Sequence, residues 1–140
     1  MAGKSENISN EAINKTMEHI DEYIKDMKII VMTSIFNDIV DNSPIVTGFY
    51  ASNHRILGPD ESFETIERRE DAHEGEFVGD IEINRSNQLS KLKKLENIDK
   101  VVIANPVSYA SEVESKHGIY QKAVTVGTQM AKSLLNKKEI

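Results

Sequence analysis

The side chains best suited to acid–base or metal chemistry are four histidines, His19, His54, His73 and His117, in a 140-residue chain that has no cysteine. No two of them stand four residues apart, and none keeps a metal-type spacing with Asp or Glu. His73 lies among acids, and His19 falls off the apolar stripe of its helix, so a solvated position explains it. Nucleophilic chemistry finds no G-x-S-x-G elbow and no thiolate. The glycines form neither a dinucleotide fingerprint nor a Walker loop, so no phosphate cradle is expected. Glu112 and Glu114 would point to opposite faces of an extended segment, which suits surface groups better than an acid–base pair. Arg85, Lys91, Lys93, Lys94 and Lys100 cluster without aromatic neighbours and with Glu96 and Asp99 among them, the pattern of a solvated helix face. No catalytic residue, cofactor or metal is therefore expected.

The elements around these residues follow from periodicity. Ile13, Met17, Ile20, Ile24, Met27, Val31 and Ile35 step by 4, 3, 4, 3, 4 and 4, which makes one apolar stripe on a helix. Ser9 or Asn10 can cap it, Asp41 to Pro44 stops it, and residues 1–8, small and polar, are expected to be mobile. A helix of about 30 residues is ~45 Å long, against a radius of gyration of ~14 Å for a body of this size. Part of its stripe then needs cover from a neighbouring subunit. Phe49 to Leu57 reads as a strand with poor alternation, and residues 60–76 as an acidic hairpin or loop with eight acids against Arg68 and Arg69. Phe77, Ile81 and Ile83 read as a half-buried strand, Leu89, Leu92, Leu95 and Ile98 as a short helix capped by Ser86 or Asn87. Val101 to Ala104 is a short apolar run that fits a central strand, and Gln121 to Lys137 is helical, with its first turns weakened around Gly127. The expected fold is α+β in one domain, residues 1–140: helices packed on one face of a small, mostly antiparallel sheet.

Composition bounds the partners. The net charge is −6, which disfavours non-specific nucleic-acid binding because phosphate neutralisation needs clustered Lys and Arg. No apolar stretch approaches ~18 residues, so no membrane partner is expected. The first residues have no apolar core for a signal peptide, and position 2 is not the glycine that myristoylation needs.

Two stretches carry a family resemblance. "SPIVTGFYASNHRI", Ser43 to Ile56, and "VVIANPVSYASEVESKHG", Val101 to Gly118, resemble the two motifs of the tail-completion, or neck, proteins of tailed bacteriophages. Pro44, Thr47 and Gly48 match the turn after the long helix; Asn105, Tyr109, Ala110 and Glu114 match the second motif, with Pro106 in its turn. The chain departs from that pattern at Val46, where an acid is usual, at Asn53, where an aromatic often sits, and at Ser108, where a proline is usual. Its glycine comes late, at Gly118, without the proline that normally follows. The resemblance implies a non-enzymatic virion protein, assembled in the host cytoplasm. It would form a ring with copies of itself, usually six, between connector or head-completion proteins and the tail tube or tail terminator. DNA would pass through without specific binding. The motif residues would then hold turns or subunit contacts, Gly48 by a positive φ or a close approach, and Glu114 by accepting from a backbone turn.

Two other readings stay open on the residues alone. One is a cytoplasmic binding or regulatory module that dimerises through the stripe from Ile13 to Ile35. The other is a small hydrolase that uses His54 or His117 with carboxylates.

Overall fold

The computed structural model describes residues 2–96 and 100–137, with side chains from Ala12 onward. The order is α1 (Ala2–Asp41), β1 (Arg55–Leu57), α2 (Val78–Lys94), β2 (Val102–Ala104), α3 (Ala110–His117) and α4 (Ile119–Lys137). The fold is α+β, with a long N-terminal helix beside a two-stranded antiparallel sheet. Helix α1 starts ahead of Ser9 and Asn10, so neither residue caps it.

Helix α4 runs back along α1. Ala123 and Gly127 are buried against it, and the Tyr23 hydroxyl donates to the Leu134 carbonyl at 2.8 Å. Gly127 is what permits the approach: a Cβ there would stand 2.4 Å from Ile35 Cδ1. The residue that weakens α4 as a helix former is thus the one that lets it pack. Ile39, Ile119 and Ala123 form one part of the core, and Phe36, Val40, Ala51, Ile56, Ile81 and Leu92 the other.

Several expected elements change identity. Residues 77–84 do not form a strand; α2 begins at Val78 and absorbs both that segment and the short helix expected after it. The reason is which side chains find cover. Ile81 and Leu92 are buried while Ile83 is exposed, so the spacing that matters is helical rather than alternating. Ser86 and Asn87 accordingly lie inside the helix, and Ile98 falls outside the described residues. The strand expected over Phe49 to Leu57 shrinks to three residues, because the chain turns tightly first, with Ser52 N–H donating to Gly48 O at 2.9 Å and Asn53 N–H to Tyr50 O at 3.1 Å.

Strand β2 is not central. Among the described residues it pairs only with β1, in the register Arg55–Ala104, Ile56–Ile103 and Leu57–Val102. The other edge of β1 is covered by α2 side chains: Gln88 Oε1 accepts from Ile56 N–H at 2.8 Å, and Asn84 Nδ2 donates to the His54 carbonyl at 2.9 Å. Side-chain amides there take the place of a third strand. The segment after Tyr109, expected to be extended, is helix α3. Residues 60–76 form no hairpin; they are irregular apart from a parallel bridge between Ile66 and Val107.

Candidate functional site: a groove over a buried histidine

The stretch from Ser43 to His54 is the most deeply buried polar part of the molecule: Ser43, Ser52, Asn53 and His54 are all buried, His54 completely. Buried polar groups must be partnered, and the partners here define one proton arrangement. Val107 N–H donates to Asn105 Oδ1 at 3.0 Å, which orients the amide. Asn105 Nδ2 then donates to Tyr50 O at 2.9 Å and faces His54 Nδ1 at 3.2 Å. Nδ1 must therefore be the acceptor, and it also takes the Tyr120 hydroxyl at 2.8 Å. That places the ring proton on Nε2, which donates to Ser43 Oγ at 2.8 Å. The serine hydroxyl donates in turn to the Ile39 carbonyl at 2.6 Å.

His54 is neutral in this arrangement for two reasons. Burial, aided by the positive charge of Arg55, pulls its pKa down from 6.5 to about 3. Protonation would also set a new N–H on Nδ1 against the Asn105 amide nitrogen, which can only donate. Burial likewise pushes the Tyr50 hydroxyl up to about 12 and the Tyr120 hydroxyl higher still, so both stay protonated. The Ser43–His54 pair runs opposite to a nucleophile and its base, in which the ring nitrogen accepts the serine proton. No lone pair of this ring is left for a substrate; its geometry is that of a lock between α1, β1, α4 and the turn after β2.

A groove of about 480 Å³ opens above this lock. Pro44, Thr47, Gly48, Tyr50 and Tyr109 line it together with Arg68, Arg69 and Lys116. Gly48 has φ +90°, and a Cβ there would stand 2.7 Å from Val78 N and 2.8 Å from Phe77 C. Both a positive φ and a close backbone approach thus require glycine. The approach lets Gly75 N–H donate to Val46 O and Phe77 N–H to Thr47 O, at 2.8 and 2.7 Å, while Thr47 Oγ1 accepts from Phe49 N–H at 3.1 Å. Arg68 stacks its guanidinium 4.2 Å from the centre of the Tyr109 ring, which itself lies 6.5 Å from the Tyr50 ring.

The remaining motif residues brace this assembly from outside the groove. Pro106 is buried, and its carbonyl accepts from Ile66 N–H at 2.8 Å. The Glu114 carboxylate accepts from Tyr120 N–H at 2.8 Å and Gln121 N–H at 3.1 Å, satisfying two open donors at the start of α4. Ser43, Tyr50, Tyr120 and Arg68 were not singled out from sequence. Their partners are up to 66 residues away, as for His54 and Tyr120, and no local pattern marks such pairs. His117 lines the groove but is exposed on α3, and it shares no hydrogen bond with His54. The lysines at 91, 93 and 94 lie on α2, where Lys91 pairs with Glu61, while Arg85 pairs with Asp41 and Glu82.

Among the described residues, no group of three His, Cys, Asp or Glu could hold a metal ion, and no helix is long and apolar enough to cross a membrane. The chain matches no family model, no curated protein and no solved structure.

Along α1, Met27, Val31 and Ile35 are partly covered, whereas Ile13, Met17 and Ile24 are 58%, 52% and 50% exposed. Every residue from Ala12 to His19 is exposed, and Ile20 is the first of the stripe to find partial cover.

Proposed function

We propose that this chain is a neck, or tail-completion, protein of a tailed bacteriophage: a structural subunit that assembles into a ring, usually of six, at the head–tail junction. The observation that carries the reading is the convergence of its two resembling motifs. Pro44, Thr47 and Gly48 from the first share one groove wall with Tyr109 from the second, and Asn105 links the two through Tyr50 O and His54 Nδ1. Stretches some sixty positions apart thus act as one structural unit, as a bipartite family motif would. The exposed stripe at Ile13, Met17 and Ile24 supplies a reason to assemble. The ring joins connector or head-completion proteins to the tail tube or tail terminator. Its net charge of −6 per subunit suits a channel that DNA traverses without sticking. Its place is the virion, after assembly in the host cytoplasm.

The test is electron microscopy of particles, or of the protein mixed with its connector. A ring at the neck is expected, and the absence of any ring defeats the proposal. One observation favours a second reading. Ile13, Met17, Ile20, Ile24, Met27 and Val31 keep the alternating 3–4 spacing of a two-helix seam. A partner-independent dimer in light scattering would support a binding or regulatory module joined through α1.

A further inference from the structure

We infer that the exposed stripe at the start of α1 seats in the Tyr109–Arg68 groove of a second copy, so that subunits join head to tail. The inference deepens the ring proposal and rests on it for closure of the assembly. Two of the apolar surfaces exposed among the described residues lie far apart. One is the arm of α1 with Ile13, Met17 and Ile24. The other is the groove just past the opposite end of the same helix, where Val46, on the groove lip, is 71% exposed beside exposed Ile45. From Ile13 to Asp41 the helix is unbroken, a span of about 42 Å at 1.5 Å per residue. The arm therefore cannot fold back into its own groove, and its occupant must be another molecule.

The chemistry of the two surfaces matches. The groove has aromatic walls at Tyr50 and Tyr109. An amphipathic helix laid into an apolar groove is a recurring mode of recognition. On a chain of net charge −6, this groove is lined by three cations, Arg68, Arg69 and Lys116, against Glu70 and Glu112; Arg68 and Arg69 hold long, exposed pairings with Glu112 at 3.9 Å and Asp71 at 3.6 Å. The arm carries Glu18, Asp21 and Glu22 against Lys15, all exposed, next to its stripe. Donor and acceptor are different surfaces at opposite ends of one molecule, so a one-way contact is heterologous and closes into a ring or runs on as a filament, whereas a reciprocal two-fold exchange of arms would stop at a dimer. A two-fold arm-to-arm seam would leave the groove empty and would stop at a dimer.

The absence of cysteine makes the test direct. Met17→Cys and Val46→Cys both change residues that are more than half exposed, so each variant should keep the wild-type melting temperature. Under mild oxidation of concentrated protein or of assembled particles, the double variant should lose its monomer band to a ladder of cross-linked multimers, and a single dimer band in its place would overturn the head-to-tail join in favour of reciprocal exchange. An equal mixture of the two single variants should stop at one dimer band. Met17→Cys alone cross-linking as well as the mixture would overturn the inference in favour of an arm-to-arm seam, as would the lack of any 17–46 species. Microscopy separates this outcome from the fate of the ring. Rings without the 17–46 cross-link remove the arm-in-groove contact and leave the ring; a ladder that yields only filaments keeps the contact and removes the ring.

Discussion

Acid should destabilise this protein through His54, and a His54→Gln variant isolates the effect. The folded chain holds the ring neutral down to about pH 3, whereas in the unfolded chain it protonates near its ordinary 6.5. Between those values the unfolded state binds a proton that the folded state refuses. A depressed folded pKa means that the stability is fully present above pH 6.5, is lost as pH falls, and levels off near pH 3. The slope is about 1.4 kcal/mol per pH unit, so wild type should lose ~2 kcal/mol by pH 5 from this group alone. Gln keeps an amide to face Ser43 but cannot titrate. Carboxylates such as Glu61, whose pKa the Lys91 ammonium and the Gly58 N–H hold down, titrate in both proteins and cancel in the difference. Urea unfolding of both proteins at half-unit steps from pH 7.5 to 4.5 measures it. The variant should start out less stable at neutral pH, and the gap should narrow steadily below pH 6.5. Parallel stability curves would refute the neutral, Nε2-protonated lock.

Three further outcomes follow from single contacts. Gly48→Ala should cost about 3 kcal/mol or more, since a positive φ alone costs ~1–3 kcal/mol and the new Cβ meets backbone at 2.7 Å; a thermal melt within a degree of wild type would contradict this. Glu114→Ala should cost ~1 kcal/mol, the usual effect of losing a helix cap, and hydrogen exchange should rise at the Tyr120 and Gln121 amides while those of mid-α4 stay protected. Gly127→Leu should separate α4 from α1 at Ile35 and cost ~1–3 kcal/mol or more as overpacking, despite its better helix propensity, and a gain in urea midpoint would show that the seam is looser than described.

Reading the chain alone finds the long helix and the terminal helix, because their stripes repeat over many turns and nothing else produces that pattern. It also finds the strand at Val102–Ala104, the break at Asn105–Pro106 and the need for glycine at position 48. Those are local matters of period, ring closure and backbone freedom. It misassigns 77–84 because Phe77 and Ile81, four apart, fit both periods, and Ile83 tips the pattern to alternation although it finds no cover. It likewise takes the segment after Tyr109 as extended, whereas the segment is α3 and Glu114 accepts from the start of α4 out of that helix. The candidate site is the least legible part. Ser43, His54, Asn105 and Tyr120 become one proton network only when α1, β1, the turn after β2 and α4 meet. Sequence determines which side chains can donate or accept. Tertiary structure decides which lone pair faces which proton, because hydrogen bonds act over about 3 Å and these groups are tens of residues apart.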